Sequence, residues 1–76
     1  MKSILVAGAG EIGRLIAFLL ANSRQYRVIL ADLKLTHLSY RSTLSNEFFD
    51  FVQLDLRDPQ AFEKIVTDHH INTVIS

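Results

Sequence analysis

The chain has 76 residues, 49% of them apolar and 21% charged, with eight Lys plus Arg against eight Asp plus Glu. That length holds at most one small domain and excludes a complete two-domain enzyme. The apolar fraction and zero net charge exclude a disordered tail and remove the electrostatic case for nucleic acid or an anionic membrane as partner. Cysteine is absent, which excludes disulfide scaffolds, thiolate metal sites and a thiol nucleophile. A domain of this size then rests on its hydrophobic core alone.

Residues 3–7, Ser-Ile-Leu-Val-Ala, form a short continuous apolar run closed by glycine, the pattern of a strand buried on both faces. The opening resembles a signal peptide only briefly, because the run meets Gly8-Ala9-Gly10-Glu11 at once. From Glu11 the period changes. Ile12, Leu15, Ile16, Leu19 and Leu20 fall on one face of a helix, with Arg14 off that stripe, and the helix is expected to fade near Asn22-Ser23. Leu15 to Ala21 is the longest apolar run elsewhere, far short of the ~18 residues that span a membrane. No membrane span is expected, and the cytoplasm is the expected compartment.

Val28 to Ala31 reads as a second buried strand, ending on Asp32. Over 36–46 a short helix is expected from Leu38, Arg41 and Leu44, although five of the ten residues from Thr36 to Ser45 are Ser or Thr. Phe51 to Leu54 reads as a third strand, ending on Asp55. Asp58-Pro59 marks a helix start, an N-cap carboxylate followed by proline at the first helical position. Phe62, Ile65, Val66 and His69 continue it at helical spacing, and Thr73 to Ser76 begin a fourth strand.

The order βαβαβαβ builds an α/β fold, a Rossmann-type doubly wound parallel sheet with strand order 3-2-1-4. Such sheets normally continue for at least two more strands. Residues 1–76 are therefore expected to be the N-terminal part of a dinucleotide-binding domain, with a substrate domain outside this chain. A bare fourth strand is a template for pairing with another chain, so self-association through that sheet edge is expected.

Gly8-Ala9-Gly10-Glu11-Ile12-Gly13 is G-x-G-x-x-G, following a predicted strand, opening a predicted helix and preceding a strand that ends in an acid. In that context the pattern points to a dinucleotide. Gly8 allows the tight turn, Gly10 lets backbone approach a pyrophosphate, and Gly13 lets helix and sheet pack closely. The free N–H groups of the helix start face the phosphates. Glu11 favours the helix dipole from the first turn and is expected to point away from a diphosphate. Asp32 lies 19 residues after Gly13. Its carboxylate can accept both hydroxyls of an adenosine ribose and repel a 2′-phosphate, which favours NAD; Lys34, two residues on, can neutralise such a phosphate and keeps NADP open. The alternative is that Asp32 only caps its loop. Asp55 can accept from an adenine amino group with Leu56 covering the ring, or it can bond nearby backbone N–H groups as a loop carboxylate.

His37, His69 and His70 do not make a metal site, because the adjacent pair at a helix end cannot easily face one ion and no acid cluster joins it. Phe48, Phe49 and Phe51 have no interleaved basic residues and are expected to pack in the core and strand edge rather than stack bases. No general acid or base is identified, so the segment alone is expected to be inactive.

The run Ile4 to Arg14, Val28 to Asp32, Gln53-Leu54-Asp55-Leu56-Arg57-Asp58 and Thr73 to Ser76 together resemble the nucleotide-binding part of the saccharopine dehydrogenase-like family. That resemblance implies an NAD(P)-dependent oxidoreductase holding its cofactor for hydride transfer. It implies a pyrophosphate loop of Gly8, Gly10 and Gly13 with Ile12 beside it, a ribose acid at Asp32, and adenine-side residues Asp55 and Leu56. It also implies that Ser76 leads toward the nicotinamide. Asp55-Leu56-Arg57-Asp58 and His70 to Ile75 also resemble extended short-chain dehydrogenases and sugar-nucleotide epimerases. That family usually has its first loop glycine one position earlier, where Ala7 stands here. Its Tyr-x-x-x-Lys pair is not formed by Tyr26 or Tyr40, which are followed four residues later by Leu30 and Leu44. The same glycine loop and acid also resemble the non-catalytic nucleotide-sensing domains of potassium channels and transporters, which the Asp58-Pro59 exit fits less well.

Overall fold

The computed structural model describes residues 1–8, 10–33 and 47–76. In chain order it contains β1 (Lys2–Ala7), α1 (Glu11–Asn22), β2 (Tyr26–Asp32), β3 (Phe49–Gln53), α2 (Pro59–Asp68) and β4 (Thr73–Ile75). The helix expected over 36–46, Lys34 and His37 lie outside the described residues. The strands form one parallel sheet in the order β3-β2-β1-β4, the order the βα alternation predicts.

Strand boundaries shift where pairing outruns the apolar run. The second strand begins at Tyr26, not Val28, because Lys2 and Ser3 of β1 pair with Tyr26 and Arg27. The third begins at Phe49 and stops at Gln53, not Leu54. Leu54 leaves the ladder but stays buried, and its N–H donates to the Asp32 carbonyl at 2.8 Å. The fourth stops at Ile75, so Ser76 lies just past it.

Successive side chains of a strand point to opposite faces, so a strand covered on both sides reads as an unbroken apolar run. Here Ile4, Val6, Val28, Leu30 and Phe51 form one layer with Ala17 and Ala21 of α1. Leu5, Ile29, Ala31 and Leu54 form the other, under Phe62, Ile65 and Val66 of α2. The two helices therefore cover opposite faces, as right-handed crossovers require when the chain winds one way from β1 to β3 and then back to β4.

The helix α1 spans the expected residues, but its apolar stripe does not all meet the sheet. Ile12, Leu15 and Leu19 are exposed, whereas Ala17 and Ala21 are fully buried, with Ile16 and Leu20 packed beside them. The reason is distance. A Cβ on Gly13 would overlap the carbonyl oxygen of Gly8, so α1 starts hard against the end of β1. A helix that close presents its small residues to the sheet and carries its large ones to the flank.

The start of α2 matches expectation: the Asp58 carboxylate accepts from the N–H groups of Gln60 and Ala61 at 3.1 and 3.2 Å, and Pro59 follows. Its end comes one residue earlier than the spacing suggests. His69 is the C-cap, and His70 adopts a left-handed φ of 52°. Asn72 then docks β4 onto β1: its Oδ1 accepts from the Ser3 N–H at 2.8 Å and its own N–H donates to the Ser3 carbonyl at 2.9 Å. Phe51 is core, Phe49 packs against it, and the Arg24 guanidinium lies 5.9 Å from the centre of the Phe48 ring. Among the described residues, no helix is long and apolar enough to cross a membrane, and no group of three or more His, Asp or Glu is placed to hold a metal ion.

The close approach at Gly13 is testable through stability. Gly13→Ala should cost about 1–3 kcal/mol, the usual range for overpacking a filled site, even though alanine is the better helix former. A urea denaturation midpoint equal to or above that of the unsubstituted protein would overturn the packing account.

Candidate functional site

In an open parallel sheet, ligands bind beyond the carboxyl ends of the strands, where the winding direction reverses. That point lies between β1 and β4. The loops leaving β1, β2 and β3 converge on the same edge, and backbone bonds tie them together. The Gly8 N–H donates to the Ala31 carbonyl at 2.8 Å, Leu54 is tied to Asp32, and the Gln53 side-chain amide donates to the Leu33 carbonyl at 3.0 Å.

The three glycines have different standing. Gly8 has φ +104°, a left-handed conformation that L side chains rarely adopt. Gly13 is fixed by its approach to Gly8. Gly10 needs neither allowance: its φ is −67° and ψ 179°, and a Cβ there would meet nothing within 4 Å. Packing among the described residues therefore does not account for a missing side chain at Gly10, and they leave the space beside it open.

Gly10 is also the N-cap of α1, and no side chain caps that helix. Its carbonyl accepts the first intrahelical bond, from the Arg14 N–H at 2.9 Å. The N–H groups of the first turn have no acceptor inside the helix. The contrast with α2, whose first turn is closed by Asp58, is direct. Glu11 and Ile12 are both exposed in that first turn. The carboxylate favours the positive end of the helix dipole there.

Asp32 is the last residue of β2 and half-buried. One carboxylate oxygen accepts from the Leu33 N–H at 2.6 Å, so part of the loop-capping role is realised. Asp55 sits in the turn after β3, where its carbonyl accepts from the Asp58 N–H at 3.0 Å. Its carboxylate is gripped by one residue. Oδ1 accepts from the backbone N–H of Arg57 at 2.9 Å and from its Nε at 3.1 Å, and Oδ2 accepts from Nη2 at 3.2 Å. The guanidinium bonds and then the backbone N–H hold the Asp55 carboxyl below its ordinary range, and the same pairing raises Arg57. Leu33 and Leu56 are 45% and 41% exposed on the exits of β2 and β3. Ser76 follows Ile75, the register partner of Val6, and so stands beside the start of the glycine loop.

The carboxyl edge thus brings together Gly8, Gly10, Glu11, Ile12, Gly13, Asp32, Asp55, Leu56 and Ser76; Lys34 lies outside the described residues. Sequence reasoning assigned no role to Arg57 or Gln53. The only signal for Arg57 was an acid two residues before a base in a turn.

Four parallel strands in the order 3-2-1-4, with a glycine loop opening the first helix, define a Rossmann-type nucleotide-binding fold. The chain matches the model of the NAD dependent epimerase/dehydratase family over residues 4–76 and belongs to that family, whose members bind NAD(P). The match supports the second of the sequence resemblances, to extended short-chain dehydrogenases and epimerases, rather than the first, to the saccharopine dehydrogenase-like family. No curated protein and no solved structure among those compared matches the chain.

Proposed function

We propose that this chain is the cofactor-binding part of an extended short-chain dehydrogenase or epimerase, with NAD preferred over NADP. The observation that carries the reading is Gly10, a glycine that neither backbone conformation nor internal packing requires. Its bare Cα leaves room for a pyrophosphate against the backbone, and the uncapped first turn of α1 supplies N–H donors and the positive end of a dipole. Asp32 supports the ribose role by its place at the end of β2, where a carboxylate can accept from ribose hydroxyls and its charge opposes a 2′-phosphate. Asp55 and Leu56 support adenine contacts on the next strand exit. Ile12 flanks the pyrophosphate from the first turn of α1, and Ser76 leads toward the nicotinamide half.

Bound NAD(P) supplies hydride transfer; what these residues contribute is binding, orientation and electrostatics. Gly8, Gly10 and Gly13 set the phosphate approach, Asp32 selects the ribose, and the sheet edge holds the molecule extended across β1, β2 and β3. Among the described residues β4 pairs with β1 alone, and its outer edge, with Val74 exposed, supports self-association of the chain through that edge.

Three measurements test this reading. Gly10→Val should leave the circular dichroism spectrum unchanged and reduce NADH affinity below detection in calorimetry; unchanged affinity would overturn the cofactor site. Asp32→Ala should weaken NAD by about tenfold, the scale of a charged hydrogen bond, and leave NADP equal or better. A wild type that already prefers NADP would reverse the cofactor assignment. Sedimentation of the 76-residue chain should show concentration-dependent association, and a monomer at all concentrations would remove the edge-pairing proposal.

A further inference from the structure

The grip of Arg57 on Asp55 has no evident purpose in holding the fold. The Arg57 side chain is 83% exposed and that of Asp55 38%, and ion pairs in such settings contribute little to stability. The turn is already closed by the backbone bond from Asp58 to Asp55. What the grip does is orient a carboxylate. A carboxylate oxygen has two acceptor positions. On Oδ1 both are taken, by the backbone N–H and Nε of Arg57; on Oδ2 Nη2 takes one. One acceptor position, on Oδ2, remains in a fixed direction.

The charge is altered as well as the direction. A lone carboxylate attracts cations; one paired with a guanidinium presents an acceptor that carries little net charge. Its natural partner is a neutral N–H donor. Two exposed apolar side chains belong to the same strand exits, Leu56 next to Asp55 in the chain and Leu33 after β2, and the Leu33 backbone is held by the Gln53 amide. A flat, neutral ring with an amino group on its edge fits that arrangement.

We propose that Arg57 is a positioning residue for base recognition: it aims the remaining Oδ2 acceptor of Asp55 at the exocyclic amine of the cofactor's adenine, so that the site rejects a base carrying a keto oxygen there. The proposal rests on the reading that Asp55 lies beside the adenine. With a keto group in place of the amine, two acceptors face each other and the carboxylate loses its donor.

The test compares NAD with its hypoxanthine analogue, nicotinamide hypoxanthine dinucleotide, by calorimetry on the full-length protein and on Arg57→Gln, Arg57→Lys and Asp55→Asn. Wild type should bind the analogue about tenfold more weakly than NAD, the scale of a hydrogen bond to a charged group. Arg57→Gln should reduce that ratio to about twofold, with the melting temperature unchanged because the pair is exposed. Arg57→Lys should also lose discrimination, because an ammonium lacks the planar two-point geometry. Asp55→Asn, which can turn an amide N–H₂ toward a keto oxygen, should flatten or invert the ratio. If wild type binds neither dinucleotide, the cofactor reading itself fails. If it binds both equally, Asp55 does not read the base and the proposal falls with it. If wild type discriminates and Arg57→Gln discriminates as well, Asp55 acts without Arg57 and the positioning role is overturned.

Discussion

The approach of Gly13 to the Gly8 carbonyl is the constraint on which the carboxyl edge of this domain depends. It requires a left-handed turn at Gly8 and no side chain at Gly13. Once met, it sets the first turn of α1 directly over the end of β1. The seam then continues through Ala17 and Ala21, both fully buried. A helix lying this close to a parallel sheet has no room for leucine beneath it. Ile12, Leu15 and Leu19 are carried outward as a result, which trades some apolar burial for the position of the helix start. The trade makes sense if the placement of those first N–H groups matters more than another buried leucine.

From that point, order passes along the sheet edge through backbone bonds. Gly8 is tied to Ala31, Asp32 to Leu54, and Leu33 to Gln53. The glycine loop, the β2 acid and the β3 turn are therefore held in mutual register by the strands themselves. Adjacent strands are about 4.8 Å apart, so β1 and β3 are separated by about 10 Å. A ligand that touches all three exits must be extended and must change character along its length. It meets N–H donors first, an acid next and apolar side chains last. A dinucleotide has that sequence of groups: pyrophosphate, ribose hydroxyls and a flat base.

Much of this was legible in the residues. Runs such as Ile4-Leu5-Val6 and Val28-Ile29-Leu30 are apolar at every position because both faces are covered, and that pattern predicts the parallel sheet and, with the alternating helices, its order. The orientation of α1 was not legible, because periodicity counts apolar positions without regard to size, while packing against the sheet selected the small ones. The start of β3 was hidden by Asp50. An acid inside a strand breaks the apolar run, yet its carboxylate accepts from the neighbouring Phe51 N–H at 2.8 Å and it keeps its place opposite Ile29. The Arg57 grip was invisible for a different reason. A spacing of two residues has no meaning in a helix face, and only the turn at Asp55 to Asp58 brings guanidinium and carboxylate together.

Helices α1 and α2 show how the site differs from ordinary structure built of the same parts. Both begin at the carboxyl edge of the sheet. At α2 the chain supplies its own acceptor, and Asp58 closes the first turn. At α1 the N-cap is Gly10, which has no side chain to offer. A side-chain cap is typically worth ~1 kcal/mol over alanine and less over glycine, in a domain whose core supplies only ~3–5 kcal/mol. Serine or aspartate at position 10 would meet no steric obstacle, since the space around it is open. A cap was therefore available at no packing cost and is not used. The donors that it would have satisfied are left facing the point where the winding of the sheet reverses, beside a carboxylate on the next strand. Among the described residues no packing contact or side-chain cap accounts for either, and an acceptor from outside the chain, as proposed above, would account for both.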